Sequence, residues 1–260
     1  MTNIICVDFD MTLFDHQYQK IPESALEALD HIRDRYKIVL ASGRNFNEVQ
    51  NLPMKDLLRP DGIIHSNGSV IEADGRILRE SFLEKDLLRS VLLFAIEHGL
   101  CLGTLFEGNY YNTNPSALKK RWLQRGTVPV PSIRDARELF GKNIHSLFLN
   151  DTTDAAVIIE RNFPSLRAPI MSKDGGADVI PRHISKAKGM DLLLEYWHQT
   201  YEDVAAIGDS MNDYELLQAA SIGIAMGNAI EELKQIADYI TSSIADDGIK
   251  NAVIYLENLN

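Results

Sequence analysis

The feature that most constrains this chain is a set of short apolar runs, each of which ends abruptly in a polar, glycine-bearing or acidic turn. Ile4-Ile5-Cys6-Val7 runs into Asp8-Phe9-Asp10-Met11-Thr12, Lys37-Ile38-Val39-Leu40 into Ala41-Ser42-Gly43-Arg44, and Val204-Ala205-Ala206-Ile207 into Gly208-Asp209-Ser210-Met211-Asn212-Asp213. Runs of this kind read as strands buried on both faces, the pattern of a parallel sheet covered by helices. Segments with helical spacing alternate with them. Over Glu23–Arg35, Ala25, Leu26, Leu29 and Ile32 share one face behind Pro22, and Ala187–His198 precedes the third run. The alternation predicts an α/β chain with a doubly wound parallel sheet, whose ligands bind outside the carboxyl ends of the strands.

The pattern changes near Ser81. Gly62–His65 reads as a further strand, Asn47–Leu58 as a partly helical stretch interrupted by Pro53, and Val70–Leu78 as a hairpin around Asp74-Gly75. A helix over 83–98 closed by Gly99 follows. Then come short strands over 100–106, 110–113, 144–149, 168–171 and 177–180, helices over 116–124 and 153–162, and a loop over 126–131. Hairpins with helices on one side predict an α+β domain over 81–183, inserted into a core made of 1–80 and 184–260. From Lys186 the strand–helix alternation resumes, with further helices over 213–220, 230–237 and 249–257 and short strands over 222–225 and 239–240.

The bulk numbers narrow the classes. The chain has 260 residues, 45% of them apolar, and a formal net charge of −11. No stretch is apolar for long enough to span a bilayer, and no basic region precedes the first apolar run, so the expectation is a cytoplasmic protein without a membrane partner. An acidic chain lacking a basic block is not expected to bind nucleic acid, whereas a small phosphorylated metabolite needs only one or two local cations. Cys6 and Cys101 are the only cysteines, and Cys6 in a buried strand reads as a small hydrophobe. Oligomeric state is not legible.

The turns at the strand ends carry the chemistry. Asp8 and Asp10, two residues apart, leave a strand on the same side, and crowding two carboxylates at the edge of an apolar sheet is costly without a cation or a shared proton. With Ser42, Asp209, Asn212 and Asp213 they form a set of hard oxygen donors suited to Mg²⁺, and either Lys186 or Lys188 stands beside them as a cation. A phosphoryl group there would meet the metal on one side and a lysine, a hydroxyl and backbone N–H groups on the other. Each residue also has a plainer reading. Asp209 and Asp213 suit a helix start, Ser42 an N-cap, the lysines a solvated surface, Asn67-Gly68 a turn, and Arg44 an ion pair with an acid. His16, His65, His145 and His183 show no partner spacing and receive no role. In the inserted domain, Tyr110, Tyr111, Asn112, Trp122 and Arg125 are candidates for substrate contact, although aromatics also suit a core. So is the loop Lys173-Asp174-Gly175-Gly176.

Taken together, Asp8-Phe9-Asp10-Met11-Thr12-Leu13, Ala41-Ser42-Gly43-Arg44, Ser66-Asn67-Gly68, Lys186-Ala187-Lys188-Gly189-Met190 and Gly208–Asp213, in this order along the whole chain, resemble the haloacid dehalogenase superfamily, in its phosphatase branch with a type-IIB, Cof-like cap. The resemblance implies a Mg²⁺-dependent phosphatase for small phosphomonoesters, with sugar phosphates or related metabolites as substrates. Asp8 matches the nucleophile that becomes an aspartyl-phosphate, and Asp10 the acid/base that also meets the metal through its backbone carbonyl. Thr12 orients the loop. Ser42, with Gly43, Arg44 and Asn67, belongs to the phosphate-binding set. Lys186 steadies Asp8 and the phosphoryl charge, Asp209 and Asp213 complete the metal set with Asp8 and Asp10, and Asn212 contributes to the phosphate shell. Two features depart from the family pattern or leave it open. Met11 stands where the family often has glycine, and Lys188-Gly189 competes with Lys186 for the lysine motif. Transfer of the phosphoryl group to a sugar rather than to water, or metabolite binding without catalysis, are the alternative functions.

Overall fold

The structure, a computed structural model, describes residues 2–124, 130–171 and 176–259. The chain divides into two compact units, one of Met1–Asn45, Pro53–Glu80 and Ile184–Asn260, the other of Phe46–Leu52 and Ser81–His183. The segment Phe46–Leu52, left with the core in the sequence analysis, groups with the second unit. There the Glu48 carboxylate accepts from the Gly108 N–H.

The first unit opens with β1 (Ile4–Asp8), α1 (Glu23–Ile32), β2 (Lys37–Ala41), α2 (Leu52–Leu58), β3 (Gly62–His65), β4 (Val70–Ala73) and β5 (Arg76–Glu80). Helix α1 buries Ala25, Ala28, Leu29 and Ile32 and ends earlier than its spacing predicts, where Arg33 N–H bonds back to Asp30 O in a tighter turn. Pro53 starts α2 rather than breaking it, because a first-turn residue has no intrahelical use for an N–H. The β4–β5 hairpin turns through Asp74 and Gly75, with φ of 49° and 72°; two successive left-handed residues give the turn that matches strand twist.

The second unit contains α3 (Lys85–Glu97), β6 (Leu102–Phe106), β7 (Asn109–Asn112), α4 (Pro115–Gln124), β8 (Ile133–Asp135), β9 (Leu147–Leu149), α5 (Thr153–Asn162), β10 (Leu166–Arg167) and β11 (Ala177–Pro181). Its described strands form one sheet in the order β10-β11-β9-β6-β7-β8. Leu88, Val91 and Leu92 of α3 and Ala155, Ala156 and Ile159 of α5 join the strand residues in one buried core. The strand expected over 168–171 forms instead at Leu166–Arg167, and Ile170 makes only an isolated bridge to Ala177. Pro169 has no N–H to give a ladder there. Strand β8 was not foreseen, and residues 126–129 of the loop expected over 126–131 lie outside the described residues.

The chain then returns to the first unit with α6 (Lys186–Trp197), β12 (Val204–Gly208), α7 (Tyr214–Ala219), β13 (Ile222–Ala225), α8 (Glu231–Lys234), β14 (Tyr239–Ile240) and α9 (Gly248–Leu259). Its sheet runs β14-β13-β12-β1-β2-β3-β4-β5, parallel from β14 to β3 and antiparallel at β4 and β5. All five residues of β1 are buried, as a strand with a neighbour on each side and helices over both faces requires. Gly189 brings α6 down onto this sheet; a Cβ there would sit 2.6 Å from Ile64 and 2.7 Å from Ile71. No helix among the described residues is long and apolar enough to cross a membrane.

A buried ionic cluster ties the sheet to α2. The Lys55 ammonium lies 2.7 Å from Oε1 of Glu72, and Nε2 of the fully buried His65 lies 3.4 Å from its Oε2. The His65 hydrogen bond, opposed by burial and aided by Lys55, holds the Glu72 carboxyl down to about 2 from its ordinary 4.5. A folded-state value below the unfolded one means that folding favours the carboxylate. The stabilisation is therefore complete above about pH 4.5 and is lost as the pH falls toward 2. Glu72→Gln is expected to cost about 1–3 kcal/mol at neutral pH. Urea unfolding of both proteins at a series of pH values checks this: the gap should close across that acid window, and a gap independent of pH would contradict it.

Candidate active site

Parallel register brings the motif-bearing turns to one edge of the first unit's sheet. Asp8, the last residue of β1, pairs with Ala41 at the end of β2, and Val7 pairs with Ile207 one residue before the end of β12. Ser42 and Asp209 therefore follow directly from the strands on either side of Asp8. Lys186 is the first residue of α6, behind Ser185, whose hydroxyl oxygen accepts from the Lys188 N–H. The turn Ser66-Asn67-Gly68 holds left-handed φ values of 47°, 56° and 106° in succession, a conformation that costs energy at the first two positions. It is pressed against the start of α6, for a Cβ on Gly68 would lie 2.3 Å from the Ser185 carbonyl oxygen. Its Asn67 N–H donates to the Ser42 carbonyl, so β2, this turn and the helix start form one backbone assembly.

The ammonium of Lys186, completely buried, donates to Asp8 Oδ1 at 2.5 Å and to Asp213 Oδ1 at 2.6 Å. Burial opposes its charge, but Asp213 and Asp8 outweigh that and raise its proton affinity. Asp213 turns its other oxygen to the N–H groups of Asp209 and Ser210, and Gly208 leaves room for it, since a Cβ there would fall 2.4 Å from its carboxyl carbon. Lys188 points elsewhere, exposed and paired with Asp191 at 3.0 Å. The geometry thus separates the two lysines that the sequence leaves open.

Asp8, Asp209 and Asp213 each offer a carboxylate oxygen within 4.8 Å of the others. Burial first, and their mutual repulsion after it, raise the proton affinity of Asp8 and Asp209 despite Lys186. Three acids against one ammonium leave a deficit of positive charge among hard oxygen donors, which is the environment a divalent cation fits. The Asp10 side chain stands apart from this group. Its Oδ1 accepts from Arg44 Nη2 at 2.5 Å and lies 2.7 Å from His16 Nε2, while Arg44 Nε reaches Oδ2 at 3.0 Å. Burial favours the neutral acid, but the His16 hydrogen bond and the Arg44 charge prevail and hold Asp10 down to about 2. Arg44 is therefore the partner of an acid in this arrangement, the plainer of its two sequence readings, with its guanidinium over the rings of Phe9 and Phe14.

The remaining candidates divide between this neighbourhood and other places. Ser42 is fully buried and its Oγ accepts from the Arg44 N–H, with Gly43 between them. Asn67 and Asn212 are buried and joined, Asn212 Nδ2 donating to Asn67 Oδ1 at 3.1 Å. Thr12 is also fully buried, with an Oγ1 that has no hydrogen-bond partner among the described residues. It lines a small crevice with Pro22, Ser24 and Asp247. Cys6 is buried, and burial pushes its thiol up, as a small hydrophobe's would be. In the second unit Tyr111 and Asn112 are buried, Tyr110 packs edge-on against Trp122, and Arg134 lies over the Tyr111 ring. Arg125 and the loop residues 173–175 lie outside the described residues. Sequence reasoning missed His16 at Asp10 and the His65–Glu72–Lys55 cluster. No periodicity in the sequence marks the turn 11–15 that returns the chain toward Asp10, so His16 had no signal there.

A family profile of haloacid dehalogenase-like hydrolases matches residues 5–253. The chain is 28% identical to the 5-amino-6-(5-phospho-D-ribitylamino)uracil phosphatase YcsE of Bacillus subtilis, over 96% of this chain and 94% of that one. Among solved structures it is similar to a haloacid dehalogenase subclass IIB sugar phosphatase, BT4131, at a TM-score of 0.86 and 26% identity, over 98% of this chain and 99% of that one. It is equally similar to the phosphatase BT1666 of Bacteroides thetaiotaomicron, at 0.86 and 26%, over 99% and 96%.

Proposed function

This chain belongs to the haloacid dehalogenase-like hydrolases and is a phosphatase of that family, and from that premise we propose that it hydrolyses small phosphomonoesters, sugar phosphates or related metabolites, with Mg²⁺ and through an aspartyl-phosphate on Asp8. The observation that carries the reading is the Lys186 ammonium on Asp8, 2.5 Å away, inside a group of three carboxylates. A carboxylate so placed at the end of a buried strand is a fixed nucleophile. The subclass IIB sugar phosphatase and the phosphoribitylamino phosphatase among its relatives support the substrate class.

In this reading the negative phosphoryl group, on arriving, raises the proton affinity of Asp10 above its resting value so that it takes up a proton. Asp8 then forms an O–P bond as the ester oxygen leaves, and Asp10 gives that oxygen the proton. Asp10 then takes a proton from the water that opens the aspartyl-phosphate, which releases phosphate and frees Asp8. Such acid/base help is worth roughly 10²- to 10⁴-fold. Ser42, whose Oγ already accepts from the Arg44 N–H, donates its own proton to a phosphoryl oxygen, and Lys186 offsets the charge there. Asp8, Asp209 and Asp213, with the Asp10 backbone carbonyl, would hold Mg²⁺, which supplies charge neutralisation for the transferring group. The inserted unit 81–183 governs substrate choice.

The test is phosphate release from p-nitrophenyl phosphate and a panel of sugar phosphates. Turnover is expected with Mg²⁺, should vanish in EDTA and should return on adding the metal back. No release from any ester, or release indifferent to EDTA, would sink the reading.

A further inference from the structure

His16 was given no role by its sequence context, yet it lies on the side chain that the mechanism needs to move protons. The loop after β1 closes on itself: Met11 N–H donates to Phe14 O, Phe14 N–H to Phe9 O and Asp15 N–H to Lys20 O. Asp15, buried, caps the next turn by accepting from the Gln17 N–H at 2.7 Å. That closure swings His16 back so that its Nε2 stands 2.7 Å from Asp10 Oδ1. Phe14 meets the His16 ring edge-on at 5.4 Å and stacks on Phe9 at 5.3 Å, so both partners of Asp10 rest on one aromatic pair, Arg44 above and His16 at its edge.

We propose that His16 is a positioning residue of the phosphatase site: with Arg44 it fixes the rotation of the Asp10 carboxylate and so sets which oxygen exchanges the proton. Oδ1 meets both side chains, whereas Oδ2 meets Arg44 through Nε alone among the contacts named above. A carboxylate has about four acceptor positions, so the less engaged oxygen keeps capacity for the leaving alcohol and then for water. The inference rests on the phosphatase reading above, since it concerns the acid/base of that reaction.

A positioning role has a signature that a structural one lacks. An alkoxide needs a proton as it leaves, whereas a nitrophenolate does not, so misplacing Asp10 should penalise alkyl esters alone in kcat/KM. His16 is half exposed, so replacing it hollows no core. For His16→Leu, kcat/KM on a hexose 6-phosphate is expected to fall by about tenfold or more while that on p-nitrophenyl phosphate stays within about twofold. His16→Gln keeps an amide N–H near the place of Nε2 and should restore most of the loss. Equal losses on both esters, no loss, or no recovery in His16→Gln would overturn the inference and leave the phosphatase reading standing. Failure of the unaltered protein on both esters would overturn the two together.

Discussion

Asp8→Asn should end phosphate release while leaving the protein folded and at least as stable as before. If Asp8 is the nucleophile proposed above, an amide in its place is too weak to form the phosphoryl-enzyme, and removing a nucleophile from a site that works as a unit costs on the order of 10³-fold or more in turnover. The stability expectation follows from the same cluster. Asp8, Asp209 and Asp213 crowd one another around a single ammonium, and burial raises the proton affinity of Asp8 and Asp209, so the site is held ionised at a cost. An asparagine still offers an oxygen to Lys186 and removes one of the repelling charges. Thermal melts in EDTA should therefore give a midpoint equal to or above that of the unaltered chain, a sign that stability was forgone for function at this position. Undiminished turnover would overturn the nucleophile assignment, and a collapse of the melt would show Asp8 to be a structural acid.

Much of this arrangement was legible in the sequence, and the exceptions have physical causes. Strands β1, β2 and β12 stood out because burial on both faces leaves almost no polar residue in them, and their ends located Asp8, Ser42 and Asp209. The spacing Lys-x-x-Gly favoured Lys186, but Lys188 also precedes Gly189 and kept the choice open. Positions two apart on a helix face different ways, and here one points into the acids and the other out to Asp191. His16 was beyond sequence reasoning, and for Arg44 the sequence offered an ion pair but not which acid, because their meeting at Asp10 depends on a loop that closes through its own backbone and carries no periodicity. Met11 shows the converse. It sits at φ 61°, the left-handed region that suits glycine, so its departure from the family pattern is a strained main-chain position. Its carbonyl is held there by the Asn228 side-chain amide. Strand β8 is three residues long at a sheet edge, too short to show a pattern.

Lys186→Met carries the largest expected loss of stability. The ammonium lies completely buried between Asp8 Oδ1 at 2.5 Å and Asp213 Oδ1 at 2.6 Å. Methionine fills a similar volume but neutralises neither acid. Removing one partner of a buried ionic set costs about 3–5 kcal/mol, because the charges left behind are uncompensated. Asp213 has a second attachment, its other oxygen accepting from the Asp209 and Ser210 N–H groups, so the strain should be shared with that turn. Two further measurements separate this electrostatic account from simple misfit of the new side chain. Adding Asp213→Asn to Lys186→Met should recover part of the stability, since it removes one of the abandoned charges, and the pair should be clearly non-additive. Mg²⁺ should raise the melting midpoint of Lys186→Met more than it raises that of the unaltered chain. A divalent cation binds the folded acids and not the unfolded chain, and it no longer competes with a resident ammonium for the same oxygens. If the melt drops but neither Asp213→Asn nor Mg²⁺ restores any of it, the lysine holds the site together by packing and not by charge.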